Sequence, residues 1–232
     1  MSTHEKVVAL LPMKAHSERV PGKNFKELGG KPLFRWVLDT LLSLSEIDQI
    51  VINTDAREIL MEHGLGAEPR IRIRERKEAI CGDFVDMNAI IKDDLDAVDA
   101  DMYLMTHTTN PLLSAQTISD AIDEYRNAKD SNRADSLFSV NLVQARFYRA
   151  DGTAVNHDPA NLIRTQDLEM WFEENSNLYI FSSDSFTATG ARIGRQPLLF
   201  PTPALESVDI DGPDDWALAV ALSRMDLSRH GH

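Results

Sequence analysis

Apolar and polar positions along the chain fall into two alternating textures. Stretches of strand length occupy 7–11, 49–53, 102–106, 135–143 and 175–181, and the first is a continuous apolar run, as expected of a strand covered on both faces. Between them, apolar residues recur at helical spacing. Leu33, Phe34, Val37, Leu38, Leu41 and Leu42 follow Pro32; Val85, Met87, Ile90, Ile91 and Leu95 follow Asp83; Ile118, Ala121, Ile122 and Tyr125 follow Ser114. Trp216, Leu218, Ala219, Val220 and Leu222 supply a last helix opening at Pro213, where a missing N–H costs nothing. Strands alternating with helices predict an α/β fold with a mainly parallel, three-layer sheet.

Punctuation refines this pattern. Asp55 is expected to cap a helix over 56–63 that stops at Gly64, and Ser114 to cap the helix after it. Asp83 stands where it could cap the helix that follows. Residues 70–74 alternate strictly between Arg and Ile, predicting a short strand with its arginines on a solvated edge. Residues 183–189 read as a short helix ended by Gly190, and 197–200 as an edge strand tolerant of proline. One stretch breaks the rhythm. From 146 to 175 the chain is polar and poor in apolar runs, and it reads as an inserted arm on a single domain spanning 1–232. An excursion of that length inside a compact domain calls for a partner or a function.

Composition narrows the function classes. The chain has 232 residues, a formal net charge of −13 and a hydrophobic fraction of 43%. No apolar run approaches the roughly 20 residues that span a bilayer. The polar opening, MSTHEKVVALLPMK, does not read as a signal peptide. Cys81 is the single cysteine, so no intrachain disulfide forms, and a reducing cytoplasm is expected. An acidic chain is a poor partner for nucleic acid or anionic membrane.

Against that acidic background, the loop after the first strand is basic. Lys14, His16, Arg19 and Lys23 lie within ten residues, with Pro21 and Gly22 shaping a turn. Either the loop is simply solvated, or an anion such as a triphosphate sits among its cations. At the carboxyl end of a strand in an open α/β sheet, ligands are expected. A second cluster lies near the chain's end, at Ser207-Val208-Asp209-Ile210-Asp211-Gly212-Pro213. On a strand, Asp209 and Asp211 share one face, and two carboxylates side by side repel unless a cation joins them. Mg²⁺, which takes one or two carboxylates together with substrate phosphates, suits the pair; helix entry with solvation is the alternative. Asp214 and Asp215 complement the helix dipole and carry no chemistry. His107, at a strand end, is either a structural hydrogen-bonder or a general base.

The segment LLPMKAHSERVPGKN…GGKPL resembles the nucleotide-binding opening of the sugar-activating cytidylyltransferases. Ser17, Lys23 and Asn24 match the acylneuraminate (CMP-sialic acid synthetase-like) branch, and Arg19-Val20-Pro21-Gly22-Lys23 matches the Kdo branch. Thr109, Pro111 and Leu112, the Asn175-to-Phe181 stretch and the Ser-x-Asp-Ile-Asp pattern extend the likeness over most of the chain. Lys14 stands where the family usually has Arg, His107 replaces a Gln, and Leu113 replaces an Arg.

The resemblance implies a nucleotide-diphospho-sugar transferase-like fold and transfer of CMP from CTP to the anomeric hydroxyl of a 2-keto-3-deoxy acid sugar, releasing pyrophosphate. It implies CTP contacts from Met13, Lys14, Arg19, Lys23, Asn24, Gly82 and Asp83, and Mg²⁺ on Asp209 and Asp211. Lys14, Lys23, Asp209 and Asp211 would form the catalytic set. The sugar would meet His107, Thr109, Arg164, Asn175 and Asn177; Arg164 would take its carboxylate, or else pair on the surface with Glu173 or Glu174. The arm over 146–175 would swap between the subunits of a homodimer. Two rivals stay open: another nucleotidyltransferase of related fold, and a non-catalytic nucleotide- or sugar-binding relative.

Overall fold

The computed structural model describes residues 4–15, 17, 20–82 and 84–225. The first strand, β1 (Val7–Leu10), has every residue buried, which is why its sequence shows no alternation. It is an interior strand, third in a seven-stranded sheet. β4 (Gln49–Thr54) and then β5 (Ile71–Glu75) flank it on one side, and β6 (Met102–Thr106) pairs on the other. These four strands are mutually parallel. β8 (Trp171–Phe181) joins β6 and β7 (Ser136–Val143) antiparallel, and β9 (Pro197–Pro201) closes the edge parallel to β7. The remaining strands, β2 (Glu27–Leu28) and β3 (Lys31–Pro32), form a small separate hairpin.

Helices cover both faces. Val7, Ala9 and Leu11 point to α1 (Leu33–Ser43) and α4 (Ala115–Asp130), meeting Phe34, Val37, Leu41, Ile118 and Tyr125. Val8 and Leu10 point the other way, toward Ile91 of α3 (Met87–Leu95) and Phe186 of α5 (Ser183–Thr189). Three layers follow from one strand that buries both of its sides. α2 (Arg57–Glu62) follows β4, and α6 (Pro213–Leu222) ends the described chain.

Several expectations are corrected. Asp55 does not cap α2: that helix starts after Ala56 with no side-chain cap. The cap of α3 is Asp86, which accepts from the Asn88 N–H at 3.0 Å, so the helix begins later than a cap at Asp83 requires. The arm ends earlier than expected. Residues 171–175 belong to β8, where Trp171 opposes Val143 and Glu173 opposes Asn141, so the excursion outside the sheet is 144–170. The polar Glu173-Glu174-Asn175 run masks a strand that extends past the core toward solvent. Arg70 and Arg74 are also not a solvated edge. Arg70 donates to the carbonyls of Leu42, Leu44 and Ile47, and Arg74 pairs with Asp93 and Asp94.

Candidate active site

The chain leaves β1 at the carboxyl edge of the sheet, and hydrogen bonds pin the loop that follows at several of its described residues. Met13 N donates to the Asn53 carbonyl at 3.1 Å and Ala15 N donates to Asp55 Oδ1 at 2.7 Å. Asp55 therefore serves the basic loop rather than the helix beside it. The chain turns at Gly22, whose φ of 62° lies in the left-handed region, and enters a short 3₁₀ turn, Lys23–Phe25. Asn24 is buried and works as a clasp. Its Nδ2 donates to the Lys14 carbonyl at 2.8 Å, and its Oδ1 accepts from Thr108 Oγ1 at 2.7 Å. The basic loop is thus tied to the end of β6.

Lys23 is buried and points at the far end of the chain. Its Nζ donates to the Ile210 carbonyl at 2.5 Å and lies 4.0 Å from Asp211 Oδ1. Ile210 is fixed on two further sides. Its side chain is fully buried with Leu28, Leu33 and Ala219, and its N–H donates to the Thr109 carbonyl at 2.8 Å. Residues 207–211 are not a strand, as the sequence suggests, but an extended segment held to the β6 end by that backbone bond. Asp215 Oδ2 accepts from the N–H groups of Asp211 and Gly212, at 3.0 and 2.7 Å, and so stiffens the entry to α6.

The two carboxylates flank Ile210 unequally. Asp211 is half exposed and lines the cleft. Asp209 sits behind it: Oδ1 is buried with no hydrogen-bond partner among the described residues. Burial holds its carboxyl above the ordinary range. The charges of Asp211 and Asp215 push the same way, while the Thr109 side chain and Lys23 oppose them. An orphaned buried carboxylate oxygen beside a second carboxylate suits a divalent cation. No group of three His, Cys, Asp or Glu side chains that could hold a metal exists among the described residues. A cation here would therefore rely on two carboxylates with phosphate and water oxygens completing its shell, which is the usual habit of Mg²⁺.

Between the loop and this pair opens a cleft of about 340 Å³. Lys14, Ser17, Lys23 and Asn24 form its basic side; Val85, Met87 and Ile90 form an apolar wall; Gly82, His107, Thr109 and Asp211 complete it. Gly82 has φ 115°, open to glycine and strained for other residues. His107 sits between cations. Burial, then the charges of Arg192 and Lys23, push its imidazole down to about 3. Such surroundings favour the neutral imidazole and make it a weak proton acceptor. Its ring makes no hydrogen bond among the described residues, so the structural role is not seen.

The structure separates other expected residues from the cleft. Asn175 is buried and its amide is fully engaged with Asn141, Thr202, Ser139 and the Asn177 N–H. Asn177 is fully buried, donating to the Glu206 carbonyl at 3.2 Å. Both brace β8 against the 202–207 loop and neither lines the cleft, although Asn177 Oδ1 is buried without a partner among the described residues. Arg164 is exposed and held bidentately by Asp167, at 2.7 and 2.8 Å, not by Glu173 or Glu174. Arg19 and Asp83 lie outside the described residues.

One residue went unnoticed. Arg76 lines the cleft and is buried. Its guanidinium donates to the carbonyls of Met13 and Asn53, at 3.1 and 2.7 Å, and to Asn53 Oδ1 at 3.0 Å. The signal was present: Arg70, Arg72, Arg74 and Arg76 continue one alternation past the predicted strand.

A parallel sheet whose carboxyl edge sets a cationic loop against a carboxylate pair defines a nucleotide-binding α/β protein of the nucleotidyltransferase kind. A family model described as cytidylyltransferase matches residues 8–206, and the chain belongs to that family. It is 28% identical to a CMP-N,N'-diacetyllegionaminic acid synthase of Legionella pneumophila, over 95% of this chain and 97% of the other. It is 24% identical to an N-acylneuraminate cytidylyltransferase of Streptococcus agalactiae, over 91% of this chain but 52% of that longer protein. Among solved structures, 4-diphosphocytidyl-2C-methyl-D-erythritol synthase from Anaerococcus prevotii superposes with a TM-score of 0.68 at 13% identity, covering 96% and 97% of the two chains. A CMP:2-keto-3-deoxy-manno-octonic acid synthetase complexed with CTP gives 0.64 at 14% identity, covering 94% and 98%. At such identities the structures establish the fold.

Proposed function

We propose that the protein transfers CMP from CTP to the anomeric hydroxyl of a 2-keto-3-deoxy acid sugar and releases pyrophosphate. The observation that carries this reading is the meeting of Lys23 with the Asp209–Asp211 segment in one cleft, in a chain whose relatives are named for CMP transfer to acid sugars. The sugar oxygen forms a bond to the α-phosphorus as the bond to the β-phosphate oxygen breaks; the hydroxyl proton leaves to solvent.

Each side chain has a task that its position suits. Lys14, Lys23 and, from the sequence, Arg19 neutralise the triphosphate and the departing pyrophosphate, where preformed positive charge lowers the barrier most. Met13 and Asn24 hold the loop in shape. The apolar wall at Val85, Met87 and Ile90 receives the base, with Gly82 beside it and, from the sequence, Asp83 as a further contact. Thr109 and neutral His107 face the acceptor side. Asp209 and Asp211 would hold Mg²⁺, which when bound neutralises phosphate charge and acidifies the attacking hydroxyl. A protein nucleophile has no place in this scheme.

The excursion over 144–170 and the strand ends beside it expose Leu142, Leu162, Ile163 and Phe172. This exposed apolar surface supports a homodimer in which a second copy of the chain covers it, measurable by light scattering on the eluting protein. No described helix is long and apolar enough to cross a membrane; a cytoplasmic setting rests on the lone cysteine.

Pyrophosphate release should be followed with each of the four nucleoside triphosphates, Mg²⁺ and a panel of acid sugars and phosphorylated alcohols. Turnover confined to CTP with an acid sugar is the expected result. Turnover with a phosphorylated alcohol instead, or CTP binding without any release, would overturn the assignment.

A further inference from the structure

Beside His107, next to residues that line the cleft, lies a cluster that neither the phosphate loop nor the carboxylate pair uses. Its centre is Arg192, on the turn after α5. The main-chain N–H of Arg192 donates to Asn88 Oδ1 at 3.2 Å, next to Met87 of the apolar wall. One end of its guanidinium donates to Met105 Sδ at 3.6 Å, two residues before His107. The other donates to the Tyr179 hydroxyl at 2.9 Å, while the guanidinium carbon lies 3.7 Å from the centre of the Tyr179 ring. Stacking and the hydroxyl bond lock the plane of the fork.

What the fork lacks is a carboxylate in register. Glu174 Oε1 is the nearest, at 3.6 Å, beyond hydrogen-bond range, and it accepts instead from the Tyr179 hydroxyl. The Arg192 side chain is 19% exposed, that of Glu174 42%. Arg164 shows the contrast: 73% exposed, yet gripped by both oxygens of Asp167. A half-buried guanidinium with two of its five N–H donors used, one of them on sulfur, is prepared for a planar anion. Its charge, like that of Lys23, reaches His107. The two cations offer separate anchors for two anionic substrates, the triphosphate at Lys23 and a second anion at Arg192.

We propose that Arg192 sets specificity for the acceptor: its fork takes the carboxylate of the acid sugar, Tyr179 backs the fork, and Glu174 is the anion that gives way. This rests on the functional reading above and adds the residue that recognises the sugar's acid group. The rival role for Arg192 is packing on Tyr179 alone.

The full-length protein is assayed with CTP, Mg²⁺ and N-acetylneuraminic, N,N'-diacetyllegionaminic, pseudaminic and Kdo acids. The acid best used by the wild type is then compared with its C1 carboxamide. Arg192→Gln should raise the KM for the acid about 30-fold or more, as loss of a charge-assisted fork entails, with the KM for CTP within about twofold. The wild-type preference for acid over amide should collapse in this variant. Arg192→Lys, keeping charge without the fork, should fall between the two. Glu174→Gln should lower the acid KM, an improvement that a packing role does not predict. An acid KM within twofold of wild type in Arg192→Gln, or an unchanged acid-to-amide preference, overturns the proposal. Should Arg192→Gln fail to fold, unchanged acid KM in both Arg192→Lys and Glu174→Gln overturns it equally. A wild type that binds CTP but turns over none of the four acids overturns the functional reading, and this inference with it; normal wild-type turnover with indifferent variants overturns this inference alone.

Discussion

The ammonium of Lys23 reaches 187 residues along the chain to the carbonyl oxygen of Ile210, at 2.5 Å. That oxygen lies between the two carboxylates of the site, so one side chain joins the opening loop to the segment that ends the cleft. The bond also fixes the cation against the drift that long lysine side chains ordinarily show. A preformed cation facing a preformed carboxylate pair is the arrangement that phosphoryl transfer requires, since charge must be stabilised without rearrangement at the moment of reaction.

Replacing Lys23 tests both ends of that bond. Lys23→Met removes the charge and leaves the Ile210 carbonyl without its donor. Stability should fall by about 1–3 kcal/mol, the cost of an orphaned buried acceptor. The KM for CTP should rise at least about tenfold, the loss of one charge-assisted phosphate contact. Urea unfolding and initial-rate measurements check the two parts separately; unchanged CTP affinity would remove Lys23 from the phosphate cradle.

Asp209→Asn keeps shape and loses charge. Because burial and Asp211 already disfavour the charged carboxylate, the variant should melt no lower than wild type in the absence of metal. Turnover should nonetheless fall about 100-fold or more, in keeping with removal of a preorganised electrostatic group. A Mg²⁺-dependent rise in melting temperature, measured with CTP present, should be present in wild type and absent in the variant.

His107 predicts a particular acid sensitivity. Its folded value of about 3 lies below the ordinary imidazole range, so the unfolded chain takes up the proton first as pH falls. Stability is whole above about pH 6.5 and is lost progressively down to about pH 3, with about 2 kcal/mol gone at pH 5 from this group. His107→Gln should unfold with a smaller difference between pH 7 and pH 5 than wild type. An identical difference in the two proteins would mean that the imidazole is not held neutral.

Asn24 holds two segments at once, the Lys14 carbonyl and the Thr108 hydroxyl. Asn24→Ala should cost about 1–3 kcal/mol, because both partners stay buried without it. CTP affinity should weaken while α1 and the sheet keep their circular dichroism. Asn24→Asp should restore the bond from Thr108 but repel the Lys14 carbonyl, giving an intermediate melting temperature.

The alternation of textures made the three-layer fold legible, because a strand covered on both faces has no polar positions to interrupt it. The basic loop and the Asp209–Asp211 pair were legible as chemistry, because like charges crowded together need a counterion wherever the chain puts them. Strand β8 was half hidden. Its early residues Glu173, Glu174 and Asn175 carry polar side chains suited to a strand that leaves the core, and polarity looks like loop in one dimension. Asp55 illustrates the same limit. An Asp before a helix reads as a cap, and only the return of the chain alongside β4 shows that its carboxylate holds Ala15 instead.

From the residues alone came the kind of element each stretch would form and the kind of ligand its charges would attract, since both depend on local spacing and side-chain type. Which groups meet was left to the folded chain. Burial removed Asn175 and Asn177 from the cleft, a local carboxylate claimed Arg164, and packing on Tyr179 left Arg192 with its fork half used. Those outcomes depend on distances between segments far apart in sequence. Such distances follow from how the sheet orders its strands, and no short-range pattern encodes them.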